Sequence, residues 1–287
     1  MTNVTLTPRR PVEAPGEAPP GATPDKPGRG VSRRFKSALG LLIPATLVVV
    51  WEVGALAGVI STRSLPPPSQ IGQTILDLAR AGDLGNHALA TLGRVWWGFL
   101  LGVTVATMLG AASGVSPLFK RLFDPTLQAL RSIPSIAWIP LFILWFGIFE
   151  TPKVLLIAFG VFFPVYLTLE GAIANVDRKL VEVGRIYRFS TFALIRRILL
   201  PASLPTYIIG LRGGLGLGWM FVVAAEFMGA SNGFGYLLID GQMTSRPAII
   251  IASIVLFAVC GKLSDLALAT LGSRLISWQD GYSPGET

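Results

Sequence analysis

What most limits the fold of this chain is a succession of apolar runs, each long enough to cross a bilayer, divided by short polar segments that collect the basic residues. A helix needs about 20 mainly apolar residues to cross the roughly 30 Å hydrocarbon layer. Six segments meet that length: Ala38–Ile60, His87–Ser113, Pro125–Phe149, Pro152–Ala174, Leu204–Phe227 and Pro247–Leu271. Only 14% of the residues are charged and 52% are hydrophobic, against about 25% charged in a soluble domain. Polar residues are too few to cover a water-facing surface. The expected fold class is therefore all-α, a polytopic membrane protein with about six transmembrane helices.

The formal net charge of +8 suggests nucleic acid only if it forms a surface patch. Here the cations fall in loops, as they do on the cytoplasmic side of membrane proteins, so no nucleic-acid partner is expected. With the amino end inside, the cytoplasmic loops hold Lys120 and Arg121, then Arg178, Lys179, Arg185, Arg188, Arg196 and Arg197, and both termini are cytoplasmic. The outer segments are poorer, with Arg63, Arg80, Lys153 and Arg246. The first run is too long for a signal peptide and follows a long leader. Residues 1–36 hold seven prolines before position 30 and are expected to form a disordered basic tail. Residues 37–278 form the transmembrane domain, and 279–287 a second cytoplasmic tail. The one cysteine, Cys260, excludes a disulfide within the chain.

Small residues recur every fourth position in two of the runs: Gly98, Gly102, Ala106, Gly110 and Gly114, then Gly210, Gly214 and Gly218. Such faces let another backbone approach closely in lipid, and they serve tight packing or line a path. Pro134, Pro140 and Pro164 are expected to kink their helices. Among ionisable residues in the spans, Glu226 lacks a partner on its own helix, while Arg131 and Arg212 lie near inner ends where a long stem reaches the interface. Candidate path or gating residues are Arg131, Pro134, Arg212, Gly214, Gly218 and Glu226. In the outer segment 61–87, Ser69 is placed to cap a short helix bearing Ile71, Ile75, Leu76 and Leu78.

The polar segment 175–203 carries the most information. Leu180, Val183, Gly184 and Tyr187 share one helical face, and Phe189, Phe192, Ile195 and Leu199 mark a second short helix. The two join near Arg188–Ser190 and present apolar residues outside the membrane, where an exposed apolar face rimmed by charge marks a partner site. An interfacial helix lying on the bilayer is the other reading.

This segment resembles the cytoplasmic signature of ABC importer permeases, which runs Glu-Ala-Ala, three residues, Gly, nine residues, Ile, one residue, Leu-Pro. Glu182, Val183 and Gly184 stand in the first places, and Ile198, Leu200 and Pro201 close it at the same spacing. Leu130–Pro134, Leu144–Gly147 and Gly229–Leu237 also resemble the nitrate/sulfonate/taurine branch of this family, most of all aliphatic sulfonate permeases. The resemblance implies a type I importer permease of MetI-like fold in a bacterial plasma membrane. It implies a second copy of the permease, a cytoplasmic ABC ATPase docked on the loop, and an extracytoplasmic solute-binding protein. Leu180, Glu182, Val183, Gly184, Tyr187, Arg188, Phe192, Ile198, Leu200 and Pro201 then form the ATPase-coupling loop.

One position departs from the pattern. Arg188 stands where the family has glycine, so either the turn is strained or it is built differently. No Gly-x-x-x-x-Gly-Lys-Ser/Thr loop occurs, so the ATPase is expected to be a separate chain. The chain has one histidine, His87, with no metal-ligand cluster and no nucleophile motif, so neither an enzyme nor a cofactor is expected. The implied cargo is a small organic anion, first an alkanesulfonate or taurine, with nitrate, bicarbonate or a pyrimidine-like precursor as further options. An ATP-independent secondary transporter or channel is the alternative that the docking signature argues against.

Overall fold

The computed structural model describes residues 33–276, with side chains from residue 42 onward. The expected terminal tails lie largely outside the described residues. All regular structure among the described residues is helical. The first helix, α1 (Arg33–Leu56), contains Pro44 and ends four residues before the expected boundary, at a turn where Gly58 has φ +74°. Helix α2 (Pro68–Arg80) starts with its N-cap at Pro67, not at Ser69. The Glu52 carboxylate reaches it instead, accepting from the Ser69 backbone N–H (3.0 Å) and hydroxyl (2.7 Å). An acidic group satisfies orphan donors at a helix start and complements its dipole.

Four helices are long and apolar enough to cross a membrane by length and composition: α3 (Asp83–Val115), α6 (Glu150–Ala174), α9 (Leu200–Glu226, continuous with residues from Thr191) and α11 (Pro247–Leu275). Each matches an expected run to within a few residues. The expected run Pro125–Phe149 is broken where Pro134 was expected to kink it, more sharply than a kink. It is divided between α4 (Pro117–Ser132) and a 3₁₀ turn, Ser135–Trp138, leading into α5 (Ile139–Phe146), with a bend of 91°. The break has a local cause. Ile133 precedes a proline and takes the extended conformation (φ −81°, ψ 124°) that this position favours. Pro134 then offers no donor to continue the ladder.

The bundle is organised around α6. An idealised Cβ on Gly98 would stand 2.5 Å from Ile157, one on Gly102 2.6 Å from the Ala158 carbonyl, and one on Gly114 2.7 Å from Ile173. On the other flank, Gly210 faces Thr168, and Gly214 and Gly218 face Val161. Residue numbers rise together on α3 and α6 but in opposite senses on α6 and α9. Thus α3 and α6 are parallel, and α9 is antiparallel to both. The segment between α3 and α6 must then return from one end of the bundle to the other, despite its bend. Leu156, Ile157, Val161 and Val165 are fully buried in this core. In lipid their burial stabilises by close van der Waals contact, because lipid tails are as apolar as the side chains.

Candidate functional site

The loop after α6 folds as two short helical pieces. Asp177 caps α7 (Arg178–Ile186), its carboxylate accepting from the Lys179 N–H at 2.9 Å. Ser190 caps α8 (Thr191–Leu194), accepting from the Ala193 N–H at 3.3 Å. A π-helical turn, Ile195–Leu199, then leads into α9. Wider winding there accompanies Pro201, which cannot donate to the preceding turn.

Between α7 and α8 the backbone turns at Arg188, with φ +53°. The Phe189 N–H donates to the Gly184 carbonyl (3.0 Å) and the Arg188 N–H to that of Arg185 (2.9 Å). These two bonds make a Schellman motif, whose left-handed position is usually glycine. The turn therefore takes the left-handed conformation that glycine usually supplies, with a side chain held in it. Gly184 is buried, and a Cβ there would lie 2.6 Å from Leu194 and 2.7 Å from Ile198. Its lack of a side chain lets α7 close onto the next segment.

The outward surface is apolar. Leu180 and Val183 are each 48% exposed, Tyr187 73% and Phe192 72%, and Leu200 and Glu182 are also exposed. Leu199 turns inward against Leu169 and Ile173. The Arg197 guanidinium lies 5.3 Å from the Phe189 ring centre, a cation–π contact that stiffens the turn. Ile198 and Pro201 are half-buried beneath this surface.

The candidate path residues are not brought together. Gly214 and Gly218 are packed against α6. Arg131 and Pro134 are exposed near the α4–α5 break. Arg212 forms a bidentate pair with Asp265 of α11, at 2.8 and 2.9 Å. Glu226 is fully buried at the other end of α9 from the α7–α8 turn.

Glu226 finds the partners its own helix lacks. Its carboxylate accepts from Thr91 Oγ1 (2.7 Å), Arg94 Nη1 (2.8 Å) and the Gly235 N–H (2.6 Å). Arg94, itself buried, also donates to both oxygens of Glu150 (2.6 and 2.9 Å) and to the Asn232 carbonyl (2.6 Å). Buried Lys153 donates to Glu150 at 3.0 Å. The Gly233 N–H donates to His87 Nδ1 (3.0 Å) and the Phe234 N–H to Thr91 (2.9 Å). Two carboxylates and two cations balance, so burial leaves no uncompensated charge. This clamp joins α3, α6, α9 and the start of α10 (Phe234–Met243). Gly233 (φ +122°) and Gly235 lie so close to Glu226 that a Cβ at either position would collide with it. The signal missed in the sequence was Arg94, the one charged side chain inside the run His87–Ser113.

Among the described residues, no group of three or more His, Cys, Asp or Glu is placed to hold a metal ion.

Residues 98–277 match the family described as binding-protein-dependent transport system inner membrane component. A putative aliphatic sulfonates transport permease protein of Bacillus subtilis is 41% identical over 90% of this chain and 92% of its own length. The taurine transport system permease protein of Escherichia coli is 32% identical over 86% of this chain and 91% of its own. A solved inward-facing structure of the MetNI methionine ABC transporter superposes with a TM-score of 0.59 at 18% identity, covering 66% of this chain and 94% of that one. At that identity the likeness speaks for the fold alone.

Proposed function

Given that this chain belongs to the binding-protein-dependent transport inner membrane components, and is thus the permease component of an ABC importer in the bacterial plasma membrane, we propose that it forms the path for a small organic anion, an alkanesulfonate or taurine first. Two copies enclose the path, and each docks a separate ATPase chain on the 175–203 loop. Both termini face the cytoplasm, and a solute-binding protein delivers cargo from the other side. Leu180, Val183, Tyr187 and Phe192 make the apolar contact with the ATPase. Glu182 rims it, while Gly184, Arg188, Ile198, Leu200 and Pro201 set its shape.

The observation that carries this reading is the exposed apolar surface of the α7–α8 pair, held by caps at both helix starts and joined to α9 without a break. The names of the sulfonate and taurine relatives support the cargo class. Arg131, Pro134 and Arg212 remain candidates for path or gate. Gly214, Gly218 and Glu226 serve the path by fixing the helices around it. ATP binding draws the docked pairs together and turns the cavity outward, a rigid-body change between two arrangements.

The test is uptake into vesicles containing this chain, its ATPase and its binding protein, with alkanesulfonate, taurine, nitrate and bicarbonate compared. ATP-dependent accumulation of the sulfonated compounds alone is expected. Uptake that proceeds without ATP, or accumulation of nitrate in preference to either sulfonate, rejects the reading.

A further inference from the structure

Helices α9 and α11 each carry a cation on an open face at mid-length. At about 1.5 Å per residue, Arg212 stands about 12 Å from Leu204, where the expected crossing begins, and about 21 Å from Glu226. On the same arithmetic, Lys262 stands about 22 Å from Pro247 and about 20 Å from Leu275. Both are exposed, the Arg212 side chain to 45%. Each cation thus lies more than two helical turns from the nearer end of its expected crossing, too far for a side-chain stem alone to carry the charge to the interface.

Asp265 holds Arg212 by two hydrogen bonds, which use two of its five N–H donors. Lys262 lies one turn before Asp265, and its ammonium joins no ion pair among the described residues. The three formal charges sum to +1. Beside them runs an open groove of about 440 Å³ lined by Gly216, Trp219, Met220, Phe257, Gly261 and Lys262. Gly213 and Gly216 have nothing within 4 Å of a would-be Cβ, so among the described residues the groove between α9 and α11 is left open at this point. The Trp219 indole N–H is already given to Ser264 at 2.9 Å.

A cation facing lipid within a crossing is costly, and such residues turn to a bundle interior or a water-filled cavity. Here the interior of the chain is excluded, because the groups are exposed. We infer that Lys262, with Arg212 oriented by Asp265, forms an anion-binding station facing the water-filled path. The station takes one small organic monoanion per copy, its headgroup at the cations and its apolar part along Met220, Phe257 and the Trp219 ring. This rests on the path proposed above and adds to it the residues that meet the cargo.

The test begins with Cys260→Ser, which removes the chain's one cysteine, followed by Lys262→Cys, in vesicles with the ATPase and binding protein. Alkanesulfonate uptake is expected to fall about tenfold. Aminoethyl methanethiosulfonate forms a mixed disulfide with the new thiol, expels methanesulfinate and restores an ammonium, so uptake recovers. Sulfonatoethyl methanethiosulfonate attaches an anion, and uptake stays low. A Lys262→Cys thiol inert to both water-borne reagents, or uptake unchanged by the substitution, overturns the station. Thiol labelling reads water access whatever the cargo. A parent chain that fails to transport sulfonates rejects the cargo class instead, and a reactive thiol in that chain still supports a water-facing station.

Discussion

Arg188, like Ser245, holds a side chain where the backbone is left-handed, a place general chemistry gives to glycine. A left-handed backbone with a Cβ costs about 1–2 kcal/mol per residue relative to the right-handed form. Glycine removes that cost but gives part of it back through the greater freedom of the unfolded chain. Arg188→Gly is therefore expected to stabilise the α7–α8 turn by about 1 kcal/mol. Exchange of the Phe189 amide, which bonds to Gly184, should slow about fivefold, as read by hydrogen–deuterium exchange. An unchanged rate would mean that surrounding contacts have already removed the strain. This departure was visible in the sequence, because the spacing from Glu182 to Pro201 fixes which residue falls in the turn. The partners of Glu226 were not. Arg94 and Thr91 lie more than a hundred residues away along the chain, and no local period links them. The sequence also hid that the glycines of the 229–235 stretch leave room for a carboxylate.

At the scale of elements, the small-residue faces set how closely three helices meet. Gly102 stands against backbone, the Ala158 carbonyl, which cannot turn aside as a side chain can. Gly102→Ala is expected to separate α3 from α6 and destabilise the bundle by about 1–3 kcal/mol. Gly93 lies on the same helix with open space around it, so Gly93→Ala should be neutral or stabilising by up to about 1 kcal/mol. Thermal unfolding of the two variants in detergent tests the contrast, and equal midpoints would count against a packing role for the stripe. The stripe was readable because a four-residue period survives in any helical bundle. Its neighbour was not, since period alone does not say which helix lies opposite. Hydropathy likewise placed α3, α6, α9 and α11 closely but did not show the break at Pro134, which the proline itself announced as a kink. It averages over side chains and is blind to the direction of the backbone. Helix α10 escaped notice because it is short, although Phe234, Leu237 and Gly241 repeat at helical spacing on its buried side.

For the molecule as a whole, the decisive fact is that the exposed apolar surface proposed to dock the ATPase, the charge of Arg212 and the buried clamp lie on one rod. Residues Thr191–Glu226 form a continuous helical run of 36 residues, about 54 Å at 1.5 Å per residue. Phe192 stands at one end, Arg212 along it, and Glu226 at the other. Displacement of the proposed docking end therefore cannot be absorbed by a loop before it reaches Arg212 and Glu226. The clamp at the far end gives that displacement something to turn against, since Arg94 and Glu150 tie Glu226 to α3 and α6. Damage to the docking end should then stop transport without loosening the bundle. Phe192 is 72% exposed, and a surface substitution of this kind usually shifts stability by no more than about 0.5 kcal/mol. Phe192→Asp places a charge where an apolar contact is expected to be desolvated. Co-purification of the ATPase chain and ATP-dependent uptake should each fall at least about tenfold, with the unfolding midpoint in detergent unchanged. Retention of the ATPase would move the docking surface elsewhere. A large drop in the midpoint would show that Phe192 holds the bundle together, and the rod would then have no exposed end for a motor to grip.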